Sequence, residues 1–230
     1  MTVCVIIPCY NVGPRCIPVI REASRHVGRV LAIDDGSTDE TRASIRQSGA
    51  ELVAFERNRG KGFALLEGFS VALLDERIKV IMTLDGDGQH DPREIPTLLA
   101  AFSAGAGDLI IGARAGPWKA MPLKRRLANR CSSFLISKLC GQPLPDSQSG
   151  FRLISRPALE RLLPSLRPGR YEMETQMLIL ASREGCRIAS VPVSTIYSDS
   201  ALAASSFHPF RDTLLVARVI CQAFWHHRMT

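Results

Sequence analysis

Short apolar runs rich in β-branched residues recur along this chain, and each is followed by a polar turn and a helical stretch. The clearest are Val3-Cys4-Val5-Ile6-Ile7, Val30-Leu31-Ala32-Ile33, Leu52-Val53-Ala54-Phe55 and Val80-Ile81-Met82-Thr83-Leu84. A strand covered on both faces by helices has no side to turn to water, so it reads as continuous rather than alternating hydrophobicity. Helices are predicted over 14–26, to about 48, over 63–76 and from 91 toward 102. Strands at 108–112, 151–154 and 187–193 and helices at 157–163 and 171–184 extend the pattern. This alternation predicts an α/β chain built on a mostly parallel sheet flanked by helices. No repeat or low-complexity linker divides it, and 230 residues suit one domain, residues 1–230.

The polar turn after the fourth run carries the densest chemistry. Asp85-Gly86-Asp87-Gly88-Gln89-His90-Asp91-Pro92 sets three oxygen-bearing side chains at alternate positions, then an N-cap aspartate and a first-turn proline. Two carboxylates two residues apart at the carboxyl end of a strand repel unless a cation joins them. Oxygen-only ligands suit Mg²⁺ or Mn²⁺. Open α/β sheets also bind ligands at that edge. An Asp/Gly turn uses the same residues, and spacing alone does not separate the two readings. A calcium-binding EF-hand loop is excluded, since His90 stands where its glycine belongs and Pro96 where its glutamate belongs.

The net charge is +7, and all of it lies in one stretch. Residues 114–140 hold Arg114, Lys119, Lys124, Arg125, Arg126, Arg130 and Lys138 with no acid. Elsewhere basic and acidic residues balance at 22 each. No nucleic-acid-binding module is visible, so no nucleic-acid partner is expected; a membrane surface or a phosphorylated ligand is. Leu123, Leu127, Phe134, Leu135, Ile136 and Leu139 interleave with those charges in a helix over 121–140. A second apolar and basic helix is predicted over 207–228. Both patterns suit helices lying in a membrane interface, and equally an ordinary amphipathic helix or core packing. Seven scattered cysteines without a C-x-x-C pair, and a strand starting at Val3, predict reduced thiols and no secretory leader. No apolar stretch nears the ~20 residues of a membrane span.

Neither G-x-G-x-x-G after the first strand nor G-x-x-x-x-G-K-[ST] occurs, which argues against dinucleotide and P-loop binding. Gly60-Lys61-Gly62 at a helix start can offer N–H groups to a phosphate or simply make a turn. Arg114, ending a strand, can reach a diphosphate at the same edge or remain a solvated arginine.

Taken in order, six segments resemble the family 2 glycosyltransferases, and among them the dolichyl- and polyprenyl-phosphate mannosyl- or glucosyltransferases. They are Ile6-Ile7-Pro8-Cys9-Tyr10-Asn11, Ile33-Asp34-Asp35-Gly36-Ser37-Thr38-Asp39-Glu40-Thr41, Asn58-Arg59-Gly60-Lys61-Gly62, Asp85-Gly86-Asp87-Gly88-Gln89, Asp146-Ser147-Gln148-Ser149-Gly150-Phe151-Arg152 and Val191-Pro192-Val193. The resemblance covers nearly the whole chain. It implies the GT-A (Rossmann-like) fold with amphipathic interfacial helices, a nucleotide-sugar-binding half at 1–113 and an acceptor half at 114–230.

It also implies roles. Pro8, Tyr10, Asn11 and Asp35 would hold the nucleoside of a GDP-mannose- or UDP-glucose-type donor. Asp85, Asp87 and Gln89 would bind the metal on its diphosphate beside Gly86, with Arg114 neutralising further charge. Arg152 would lie near the acceptor phosphate, and Glu172 and Glu174 near the reacting sugar. Asp87, Arg152 and Glu174 are the catalytic candidates for an inverting transfer to a polyprenyl phosphate. A lipid phosphate is already an anion, so no base is assigned. The chain departs from its relatives at 198–206, where a basic residue is expected and Ser198-Asp199-Ser200-Ala201-Leu202-Ala203-Ala204-Ser205-Ser206 has none. Arg211 or His208 would then supply it, or donor or acceptor differs. Another acceptor and a non-catalytic sugar-nucleotide-binding protein are the alternatives. Attachment to the cytoplasmic face of the membrane would rest on the two basic helices or on a membrane-protein partner.

Overall fold

The structure, a computed structural model, describes residues 2–114, 123–194, 196 and 209–227, with backbone alone at 123–128, 209–213 and 224–227. The 198–206 loop, His208 and the side chains of Lys119, Lys124, Arg125, Arg126 and Arg211 fall outside the described residues.

The strands are β1 (Thr2–Cys9), β2 (Arg29–Asp34), β3 (Glu51–Ala54), β4 (Ile78–Thr83), β5 (Leu109–Arg114), β6 (Arg152–Ser155) and β7 (Ile188–Val193). Between them lie α1 (Cys16–Ser24), α2 (Thr41–Ser48), α3 (Lys61–Leu73), α4 (Ile95–Ser103), α5 (Leu123–Leu139), α6 (Arg156–Leu162) and α7 (Glu172–Arg183), and α8 (Pro209–His227) follows β7. Helix α4 begins a turn later than the sequence suggests. The Asp91 carboxylate caps the Arg93 N–H, and a 3-10 turn over Pro92–Glu94 precedes the α-helix.

One seven-stranded sheet runs in the order β3-β2-β1-β4-β6-β5-β7. All neighbours are parallel except β6, which is antiparallel to both β4 and β5. That single reversal positions the site. Arg152 at the start of β6 pairs with Thr83 at the end of β4, so the loop feeding β6 arrives where β4 and β5 deliver their chain ends. A parallel β6 would have put that loop on the opposite edge.

Alternate residues of β1 face two cores. Cys4 and Ile6 pack under Leu65 and Phe69 of α3 and Met177 of α7, while Val3, Val5 and Ile7 pack on Ile20 of α1, Ile45 of α2 and Leu98 of α4. Burial on both faces explains why the strands read as unbroken apolar runs. Helix α8 packs on α5 and α7. Its Val216 and Ile220 and α5's Ile136 are buried in the first core, so part of each amphipathic face is internal packing. Phe134 and Leu214 stay outside, 61% and 55% exposed. Among the described residues, no helix is long and apolar enough to cross a membrane.

Candidate active site

Strands β1, β4 and β5 end at the same edge, and their following loops meet the loop before β6 and the start of α7 around an open cleft. Its volume, solvent at the mouth included, is about 1140 Å³. That is room for a nucleotide-sized ligand. Pro8, Tyr10, Asp35, Asp85, Gly86, Asp87, Gln89, Arg114 and Glu174 all line it. Residues far apart in sequence are thus brought together.

The floor is an ion-pair bridge. Lys61, at the first position of α3, reaches Asp85 Oδ1 at 2.6 Å and Glu174 Oε2 at 2.9 Å. Burial alone would pull the Lys61 pKa down, but Asp85 and Glu174 outweigh it and hold the ammonium above its usual range. Burial likewise pushes Asp85 up, and Lys61 more than reverses that, leaving the carboxyl below its usual value. The sequence marks Lys61 only as part of a glycine turn; its side-chain role appears only when α3, β4 and α7 are set side by side.

Asp87 is held by its own loop, its Oδ1 accepting from the Gln89 N–H at 2.9 Å. Gly86 is confined. A Cβ there would stand 2.8 Å from Cys9 Sγ, so the loop crosses β1 at a distance only glycine permits. His90, 3% exposed, tilts against Phe151 with ring centroids 5.7 Å apart. Burial lowers its pKa to about 4, so the imidazole is neutral at physiological pH. Its Nδ1 and Glu174 Oε1 are buried with no hydrogen-bond partner among the described residues.

Of the adjacent carboxylates after β2, only Asp35 lines the cleft. Asp34 is turned inward, bonded to Arg42 Nε at 2.7 Å and to the Ser37 N–H at 3.0 Å. Asp35 accepts from Asn58 Nδ2 and from the Arg59 and Gly60 N–H groups at 2.8–2.9 Å. Burial raises its pKa, and those donors offset part of the rise. Asn11 stands apart from the lining residues. With φ at +51°, it accepts from the Thr38 N–H and so orders the loop that carries Asp35.

The two candidate arginines sit differently from each other, Arg114 lining the cleft and Arg152 buried. Arg114 clamps Asp146 through Nε and Nη2 at 2.6 and 2.8 Å, forming one cleft wall as a fixed pair. Arg152 lies behind the wall, 3% exposed, its guanidinium donating to the carbonyls of Ser149, Glu174 and Ser147 at 2.8, 2.6 and 2.9 Å. In this structure Arg152 ties the loop before β6 to α7 rather than facing the cleft. Glu172 is also outside the lining, with Oε2 accepting from the Arg170 N–H.

Residues 4–163 match the family model of glycosyl transferase family 2. The chain belongs to that family. It is a glycosyltransferase. The UDP-N-acetylglucosamine–dolichyl-phosphate N-acetylglucosaminyltransferase of Methanococcus voltae is 30% identical over 219 residues, covering 86% of this chain and 87% of that protein. The undecaprenyl-phosphate mannosyltransferase of Micrococcus luteus is 30% identical over 209 residues, covering 85% and 84%. Among solved structures, glucosyl-3-phosphoglycerate synthase of Mycobacterium tuberculosis in complex with Mn²⁺, UDP and glucosyl-3-phosphoglycerate superposes with a TM-score of 0.73. It shares 21% identity and covers 96% of this glycosyltransferase and 79% of that chain. At that identity the likeness establishes the shared GT-A fold.

Proposed function

We propose that this glycosyltransferase moves a sugar from a nucleoside-diphosphate sugar to a polyprenyl phosphate, inverting the anomeric centre, at the cytoplasmic face of a membrane. The observation that carries the reading is the convergence of Asp35, Asp85, Asp87, Gln89 and Glu174 on one cleft large enough for the donor. The relatives named for dolichyl- and undecaprenyl-phosphate transfer support the acceptor class.

The cleft's own charge favours a divalent cation. Lys61, Arg114 and Arg170 line it beside the carboxylates of Asp35, Asp85, Asp87 and Glu174, and Asp146 stands behind Arg114. Neutral His90 adds nothing, and with the buried Arg152 guanidinium counted alongside Asp146, these described groups leave one negative charge uncompensated. An anionic diphosphate would be repelled from such a wall unless a dication joined it. The donor set is oxygen-only, which fits Mg²⁺ or Mn²⁺. Asp87 and Gln89, with Asp85, would hold the ion, which when bound supplies positive charge where the departing diphosphate develops its own negative charge.

The remaining steps belong to this chain's residues. Pro8, Tyr10 and Asp35 place the nucleoside, and Lys61 fixes Asp85 and Glu174 in one geometry. The orphan Glu174 Oε1 accepts from a hydroxyl of the transferred sugar, orienting it for attack from the opposite face. A lipid phosphate needs no deprotonation, so no base is required. Docking at the membrane rests on the basic residues of 114–140 and on the outward Phe134 and Leu214.

The test is a donor screen with purified protein, Mn²⁺ and a short polyprenyl phosphate, reading product mass. Transfer is expected from one nucleotide sugar and should vanish in Asp87→Ala and in excess EDTA. Transfer to a free sugar hydroxyl but not to the lipid phosphate would overturn the acceptor, and full activity in EDTA would overturn the metal.

A further inference from the structure

The loop before β6 is fixed on both sides of Gln148. The Arg152 guanidinium donates to the Ser147 carbonyl at 2.9 Å and to the Ser149 carbonyl at 2.8 Å. Its third bond, 2.6 Å to the Glu174 carbonyl, sets that loop against the first turn of α7. The Ser147 N–H donates to Ser133 Oγ of α5 at 3.1 Å, and the Ser149 hydroxyl to the Gly112 carbonyl of β5 at 2.6 Å. Backbone held by a buried guanidinium and two neighbouring elements has little freedom to shift.

The Gln148 side chain is fixed as well. Its amide nitrogen lies 3.2 Å from Ser132 Oγ of α5, 3.3 Å from Ser147 Oγ and 3.5 Å from Thr175 Oγ1 of α7. Three hydroxyls thus hold one end of the amide, and Gln148 lines the cleft, so the other end is the one a ligand there can reach. Thr175 follows Glu174, whose Oε1 is buried with no hydrogen-bond partner among the described residues. The sheet order places this wall relative to the rest of the site. Pro8, Tyr10 and Asp35 come from the ends of β1 and β2, Asp85 and Asp87 from the end of β4, and Gln148 from the loop into β6, in the spatial order β2-β1-β4-β6. A nucleotide sugar has the same order, nucleoside, diphosphate, sugar. With the nucleoside on β1 and β2 and the diphosphate at β4, the sugar falls beside Gln148 and Glu174.

We infer that Gln148 is a specificity-determining residue that hydrogen-bonds a hydroxyl of the transferred sugar and so selects among sugars carried on one nucleotide. This rests on the nucleotide-sugar reading above and deepens it. A loose glutamine could turn to meet a hydroxyl in either configuration. An amide pinned at one end offers its other end in one place, and a sugar without a hydroxyl there leaves that group unpaired. Gln148 is uncharged, so its contribution falls on the sugar and not on the diphosphate.

The experiment is calorimetric titration in Mn²⁺ of UDP, UDP-glucose, UDP-galactose, UDP-N-acetylglucosamine, GDP, GDP-glucose and GDP-mannose, with the melting temperature of each protein recorded. The proteins are wild type, Gln148→Met, which keeps the length and loses the hydrogen bond, and Gln148→Asn, which keeps the amide and draws it back. Wild type is expected to prefer one sugar over the others on its nucleotide. Gln148→Met should weaken that preferred donor about 5- to 50-fold and shrink the preference by the same factor, with the bare diphosphate bound within twofold of wild type. Gln148→Asn should shift the preference in the same direction. A merely structural role would weaken the bare diphosphate and every sugar alike and lower the melting temperature, so the ratio between sugars on one nucleotide is the deciding readout. A ratio within twofold of wild type in both variants overturns the inference, as does a wild type that binds all sugars of its nucleotide equally. If wild type binds neither diphosphate nor any of these donors, the nucleotide-sugar reading itself fails and takes this inference with it.

Discussion

Replacing Lys61 with methionine keeps the stem and removes the ammonium between Asp85 and Glu174. In the native protein the three side chains are 13%, 27% and 8% exposed, so the bridge is mostly out of water. Breaking a buried ion pair from one side costs about 3–5 kcal/mol, because the abandoned charges stay buried. Asp85 retains some contact with solvent, which places the expected loss near the lower end, about 3 kcal/mol at pH 7.5. The sign of the pH dependence follows from the same contacts. In wild type, Lys61 holds Asp85 below its ordinary pKa, so this pair's stabilisation is present at neutral pH and fades only as acid protonates the carboxylate. In Lys61→Met, the largest charge opposing burial is gone and only the weaker pull of neighbours such as Arg114 remains, so the Asp85 pKa should rise, protonation should relieve the mutant first, and its deficit should shrink as pH falls from 7.5 to 5. Urea unfolding in EDTA at three pH values measures this, with EDTA keeping any divalent ion from standing in for the lysine. Adding Asp85→Asn should restore part of the stability, since it removes one of the two stranded charges. A deficit below about 1 kcal/mol at pH 7.5, or one that grows toward pH 5, would refute the view of Lys61 as the structural counter-charge of this site.

Arg152→Lys should act on stability rather than on one substrate. A single ammonium cannot serve the Ser147, Ser149 and Glu174 carbonyls together, and each buried carbonyl left unmet costs about 1–3 kcal/mol, so urea unfolding should show a loss of about 2–3 kcal/mol. Unchanged stability with a selective loss of acceptor use would instead return Arg152 to the acceptor. Gly86→Ala forces a methyl against Cys9 Sγ and should cut turnover more than it lowers the melting temperature, with Cys9→Ala in the same chain recovering activity; no recovery would mean that the loop is displaced by other contacts. Co-sedimentation with anionic vesicles should fall when Lys124, Arg125 and Arg126 are changed to Glu, each basic residue contributing roughly 1 kcal/mol near such a surface. Unchanged binding would make α5 a solvated helix with no membrane role.

Much of this protein was determined by local sequence. Unbroken apolar runs locate the central strands β1, β2 and β4 to within a few residues, because a strand buried on both faces must be apolar at nearly every position. The turn chemistry of Asp85–Gln89 and the cap at Asp91 are also local. So is the choice of strand ends as the place to look for Pro8, Tyr10, Asp35 and Asp87, all of which line the cleft. What only the tertiary structure decided is direction and pairing. Nothing in Arg152-Leu153-Ile154-Ser155 announces an antiparallel strand, since its side chains are buried whichever way it runs. Yet that direction sets Asp146 against Arg114 and fills the Arg152 guanidinium with carbonyls before any ligand can reach it. The Lys61 bridge spans 24 residues to Asp85 and 113 to Glu174, and Gly169 meets Gly62 from across the chain. A lysine beside glycines reads as a turn until the fold supplies its two carboxylates. Partners at such separations are chosen by which loops the sheet order brings to one edge, and that order is a property of the whole packed sheet.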